Sequence, residues 1–195
     1  MAYFSEKYAT QKTIYKGISI EQYYDAKHHF NIDDVENSIK QTLDYCQENF
    51  GAYNFDHIRI AEIPAHWPFG GFAHPGMISM VEDRLYLTDV SNPETFNLVA
   101  KRTIHEVAHQ WWGHLVGWKT YHDQWLSEGF AEYSGALYVE KKYGGGKEMR
   151  EILKRWRKTI LQRGGCRSWN DGPEVAPIGV GRRCGSYDSP ATFSA

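Results

Sequence analysis

Five residues in two short stretches could do chemistry together. His105, Glu106 and His109 lie in His105-Glu106-Val107-Ala108-His109, and Glu128 and Glu132 lie in Glu128-Gly129-Phe130-Ala131-Glu132. An α-helix turns by about 100° per residue, so positions four apart sit nearly above one another. A helix here aims two imidazoles at one point. Catalytic zinc takes three protein ligands and keeps one position for water. His105 and His109 supply two of the three. Glu106 can face the same cleft and take a proton from the zinc-bound water. The third ligand must come from another element, and Glu128, at the start of a second helix near Ser127, is the expected one. Glu132, one turn on, is placed to accept the other ring N–H of a zinc histidine. The plain alternative is an amphipathic helix with charged residues on it, and the downstream carboxylate argues against that. A closed structural zinc site would use four Cys or His ligands, and no cysteine lies near. One zinc ion per chain is the expected cofactor.

The elements that must position these residues follow from the pattern of the chain. Residues 13–24 alternate and read as a strand pair or a strand kinked at Gly17, and 57–63 reads as a strand stopped by Pro64. Val35, Ile39, Leu43, Cys46 and Phe50 recur at helical spacing, so 33–50 is a helix capped by Asn31 or Asp33 and ended by Gly51. Residues 64–76, rich in Pro, Gly and aromatics, form a loop feeding an extended 77–81, and 84–88 is a further strand. Ser91 or Asn92 caps the zinc helix, with Pro93 at its first position, and the helix runs to about Gly117. Helices over about 127–143 and 147–163 follow. The whole is read as one domain over 1–195: mostly strands plus one helix over 1–90, helices over 91–163, an irregular tail over 164–195. The class is α+β, with a small mixed sheet packed on the zinc helix and a helical second half.

Residues 101–135 resemble the gluzincin zinc aminopeptidases, the aminopeptidase N family. That family carries HExxHxWxG on its zinc helix and then WLxEGFA, and Gly113, Trp125, Leu126, Glu128, Gly129, Phe130 and Ala131 fit. The resemblance implies a zincin (thermolysin-like) catalytic domain. It implies zinc held by His105, His109 and Glu128, with Glu106 as general base, and peptide as substrate. In the family a G-x-M-E-N strand precedes the zinc helix, and its glutamate binds the substrate's free α-amine. The corresponding stretch here runs from Gly70 and Gly71 through Phe72, Ala73 and His74 to Pro75 and Gly76. Ala73 stands at the glutamate's place and His74 at the asparagine's. Glu82 and Asp83 are the acidic residues that could stand in. Gly70, Gly71, Ala73 and His74 are expected against the substrate, with His74 near its terminus. The family's oxyanion tyrosine is followed after one residue by Lys-Gly. Tyr187 lies at a comparable distance in a different context. The resemblance therefore implies a shortened catalytic domain with a C-terminal part missing, and the apolar surface such a loss would expose makes a homodimer the alternative partner.

Composition bounds the rest. A net charge of −2 gives no electrostatic case for nucleic acid or an anionic membrane. No apolar run approaches the ~20 residues of a membrane span, and the N-terminus does not read as a signal peptide. Seven Trp and thirteen Tyr exceed what a core needs, so some can line a cleft. Cys46, Cys166 and Cys184 read as free thiols rather than a disulfide framework, which favours a soluble, cytoplasmic setting. The expected function is zinc-dependent peptide-bond hydrolysis, aminopeptidase-like. Two alternatives stay open: an endopeptidase, and a peptide-recognition module that keeps the zinc fold without efficient catalysis.

Overall fold

The computed structural model describes residues 8–67, 70–91, 93–120, 123–144 and 146–163. β1 (Ala9–Tyr15) and β2 (Ile18–Tyr24) form an antiparallel hairpin. The chain then crosses through α1 (Ile32–Phe50) to β3 (His57–Ile63), which pairs parallel with β2. β4 (Gly71–His74) and β5 (Met77–Val81) form a second hairpin, and β5 pairs parallel with β3. The sheet order is β1-β2-β3-β5-β4, which makes β4 an edge strand. Three helices complete the fold: α2 (Pro93–Ala108), α3 (Gln124–Tyr143) and α4 (Lys147–Arg163). Among the described residues the fold is a small mixed sheet with four α-helices.

The helical spacing in α1 is the spacing of its buried face. Val35, Ile39, Leu43 and Cys46 are fully buried against Ile20, Ile58, Ile60 and Ile78 of the sheet and Val107 and Trp111 of the α2 segment. Each such aliphatic side chain contributes about 1.5–3 kcal/mol by leaving water. This core fixes α2 against the sheet, and α3 packs on α2 from the other side.

Four local expectations change. Residues 71–74, expected in a loop, form β4. The turn at Pro75 and Gly76, where Gly76 takes a φ of 68°, folds them back on β5. The register sets Gly71 opposite Met80 and His74 opposite Met77. Residues 84–88 are not a strand: a 3-10 turn covers Glu82–Arg84, and Leu85 and Tyr86 are both buried. The Asn31 amide donates to the carbonyls of Leu85 and Thr88, both at 2.7 Å, so these groups need no partner strand. The zinc helix ends at Ala108 instead of Gly117. Beyond His109 the hydrogen bonds tighten to Gln110 N–H with the Val107 carbonyl and Trp111 N–H with the Ala108 carbonyl. Gly113 then turns the chain with φ of 119°. The next helix begins three residues earlier than Ser127, at Gln124. The tail over 164–195, with Cys166 and Cys184, lies outside the described residues.

Candidate metal centre

His105 and His109 sit at the end of α2, and Glu128 sits in the second turn of α3. Their donor atoms form a tight triangle. His105 Nε2 is 3.2 Å from His109 Nε2 and 3.3 Å from Glu128 Oε2, and His109 Nε2 is 3.5 Å from Glu128 Oε1. Donors about 2.0–2.1 Å from a tetrahedral zinc stand about 3.4 Å apart. The two imidazole nitrogens, and each of them with one Glu128 oxygen, thus stand at about the spacing of ligands around one zinc-sized ion. The electrostatics agree. Burial opposes a charge on His105, yet the Glu128 and Glu132 carboxylates outweigh it and hold the imidazole up to about 10. Burial likewise opposes ionised Glu128, and the two histidines override it and hold it down to about 2. Without a metal, a proton on the His105 imidazole answers the Glu128 and Glu132 carboxylates, and that proton must leave before the ring can bind an ion.

The outer contacts orient the rings. His109 Nδ1 lies 3.0 Å from the Trp112 carbonyl and 3.1 Å from Ser127 Oγ, and the Ser127 hydroxyl donates to the same carbonyl at 2.6 Å. A proton on Nδ1 satisfies this pair and leaves the Nε2 lone pair for a metal. A β-carbon on Gly113 would stand 2.7 Å from Ser127 Oγ, so the glycine makes room for that contact as well as for the turn. Glu132 Oε2 is 3.4 Å from His105 Nδ1 without hydrogen-bond geometry, and that nitrogen is buried with no other partner. Lys101 and Trp156 Nε1, the latter at 3.1 Å, hold the other Glu132 oxygen, so α4 reaches the centre's outer layer.

Glu106 points from α2 toward β4, where its carboxylate meets the open side of Gly71. Burial pushes this carboxyl up, against the pull of His105 and His109. The edge strand is bolted to the end of α2. Gln110 accepts from Gly76 N–H at 2.8 Å and donates to the His74 carbonyl at 2.9 Å, and His114 Nε2 contacts the Ala73 carbonyl at 3.1 Å. His114 is thus a strap on β4, and burial holds its pKa below the usual imidazole range.

Among the substrate-side expectations, Gly71 lies against Glu106. Successive strand residues face opposite ways, so Ala73 shares Gly71's side. The exposed His74 ring lies against Phe72 on the other side, tilted to it by 50° with centroids 4.7 Å apart. The Gly70 carbonyl accepts from Val81 N–H at 3.0 Å. Glu82 and Asp83 are engaged elsewhere, Glu82 with Ala65 N–H at 2.9 Å and Asp83 with Arg84 at 3.7 Å. Tyr187 lies outside the described residues. Sequence reading missed Ser127 and Gln110. Their only signal was adjacency, Ser127 just before the third carboxylate and Gln110 just after the second histidine.

Residues 34–167 match the peptidase family M1 domain. The chain belongs to peptidase family M1. It is 32% identical over 133 residues to glutamyl aminopeptidase of Bos taurus, which covers 66% of this chain and 14% of that protein. It is 31% identical over 105 residues to probable aminopeptidase 2 of Sulfurisphaera tokodaii, covering 53% of this chain and 13% of that one. Aminopeptidase O of Mus musculus is 30% identical over 95 residues, or 49% of this chain and 11% of its own length. The M1 chain thus spans a small fraction of the curated relatives it matches. Among its described residues, no helix is long and apolar enough to cross a membrane.

Proposed function

We propose that this M1 chain is the metal-binding core of a zinc-dependent peptidase with a thermolysin-like zincin fold. The donor cluster of His105, His109 and Glu128 carries the reading, because each histidine Nε2 lies 3.2–3.5 Å from the other and from a Glu128 oxygen, the spacing of ligands around one tetrahedral ion. These three residues would hold the zinc. When bound, zinc supplies a Lewis acid for the scissile carbonyl and acidifies a water. Glu106 takes the proton of the attacking water and returns it to the leaving amine. Its raised affinity for protons suits both transfers. Ser127 and the Trp112 carbonyl keep His109 in the metal-binding tautomer, and Glu132 stands behind His105. β4 is the edge strand, and beside the His114 contact at the Ala73 carbonyl it would offer Gly71 to a peptide backbone, which would lay the scissile bond across Glu106.

The names of the relatives favour removal of single N-terminal residues. Ala73 favours a second reading, endopeptidase cleavage, because a methyl group on the Glu106 side of β4 offers nothing to an α-ammonium. Matched peptides, one with a free amine and one N-blocked, test both with zinc-loaded chain beside Glu106→Gln. Cleavage of the free peptide alone, lost in the variant, is the aminopeptidase result, and cleavage of the blocked peptide is the endopeptidase result. Hydrolysis undiminished in Glu106→Gln would remove the assigned base.

A further inference from the structure

One carboxylate behind the metal centre is held from a helix that supplies no ligand. Glu132, on α3, sits between α2 and α4. Its Oε1 accepts from Lys101 of α2 and, at 3.1 Å, from the indole Nε1–H of Trp156 on α4. Its Oε2 lies 3.4 Å from His105 Nδ1, a buried nitrogen with no hydrogen-bond partner of its own. Trp156 is half-buried, and the Lys101 ammonium stands 6.0 Å from the centroid of its ring.

We propose that Trp156 is a positioning residue for the metal centre: its indole N–H keeps Glu132 turned so that the other carboxylate oxygen faces His105 Nδ1. The proposal rests on the reading of His105 as a zinc ligand. Lys101 and His105 lie one turn apart on α2, so both draw on the same carboxylate. A lysine ammonium is a compact charge with three rotatable donors, and it can take either oxygen or both. Lys101 alone therefore does not fix which oxygen turns to the histidine. An indole has a single N–H on the edge of a rigid ring, and α4 sets its direction. With Lys101 and Trp156 both on Oε1, Oε2 is left for the ring nitrogen. A carboxylate at the second nitrogen of a zinc histidine orients the ring and makes it a stronger donor. The grip on the metal thus depends on the docking of α4, through a residue 24 positions beyond Glu132.

Zinc affinity, measured on the full chain by competition with a chromogenic chelator, tests it in the parent, Trp156→Phe, Glu132→Ala and the double variant. Phenylalanine keeps a ring against Lys101 and removes the N–H, so Trp156→Phe keeps the fold, checked by circular dichroism. Loss of a direct outer partner typically costs about 10–100-fold in metal affinity. Trp156 stands one bond further out, so Trp156→Phe should weaken zinc by about 3–10-fold. In the Glu132→Ala background the same change should cost less than about twofold, because effects relayed through one group do not add. Unchanged zinc affinity in Trp156→Phe would overturn the proposal. So would an equal loss with and without Glu132, which would mean that the indole acts only by packing α4. Both results leave the metal centre standing. A parent chain that takes up no zinc would instead overturn the reading of that centre, and this proposal with it.

Discussion

A β-carbon on Gly71 would stand 2.8 Å from Oε1 of Glu106 and 2.5 Å from Sδ of Met80. The edge strand and the helix carrying the proposed base touch only because that carbon is missing. Gly71→Ala must push Glu106 or the strand aside. Displacing a catalytic group by about 1 Å can cost on the order of 10²-fold, so we predict peptide hydrolysis about 10–10²-fold lower, with zinc affinity unchanged. Steady-state kinetics beside a zinc competition assay would show it. Equal loss of zinc would instead mean that the whole centre had shifted.

Ser127 shares the Trp112 carbonyl with His109 Nδ1. Loss of such an outer partner typically costs about 10–100-fold in metal affinity. Ser127→Ala should weaken zinc by that order when titrated against a chromogenic chelator. An unchanged affinity would show that the carbonyl alone holds the tautomer.

Gln110 is buried and makes two hydrogen bonds to the β4–β5 turn. Gln110→Ala leaves Gly76 N–H and the His74 carbonyl without partners, at about 1–3 kcal/mol for an unsatisfied group. Urea unfolding should show a loss in that range, and the Gly76 amide should exchange faster. A loss of stability without faster exchange at Gly76 would place the damage elsewhere.

Glu21 sets an acid limit. Burial favours its neutral form, and Arg59, Lys12, Tyr23 and Ser19 override that and hold its pKa far below the usual carboxylate range. A folded-state pKa below the unfolded value of about 4.3 stabilises the protein above that pH, and the gain fades as pH falls. The parent chain should therefore be more stable than Glu21→Gln at neutral pH. The gap should close steadily below about pH 5 in urea midpoints measured across pH. A gap that does not vary with pH would exclude the carboxylate as its source.

How far the sequence could be read depended on whether the determining contact was local. His105, Glu106 and His109 lie within one turn of helix, and Glu128 and Glu132 repeat that spacing, so the gathering of His105, His109 and Glu128 was legible from periodicity. β1, β2, β3, α1, α3 and α4 carry clear patterns and were readable too. β4 was not, because four residues with two apolar and no β-branched side chains make no alternation worth reading. The end of α2 depended on the φ of Gly113, and the late glycine at 117 looked equally able to stop it. Residues 84–88 alternate like a strand, but an amide from Asn31, 54 residues away from Leu85, collects their carbonyls. The roles of Ser127, Gln110 and His114 are likewise set by partners distant in the chain.

The mixed pairing of the sheet sets an order of assembly. β1 and β2 are joined by a two-residue turn, and such hairpins close in about 1–10 μs. β2 and β3 are also neighbours, yet they run parallel with all of α1 between them, and pairing across so long an excursion is slow. The first hairpin should therefore gain protection in pulse-labelled hydrogen exchange before β3 does. His105, His109 and Glu128 stand on two helices that meet only by packing on each other, so their donor atoms come together only once α2 and α3 are docked, and any grip on an ion would report that docking.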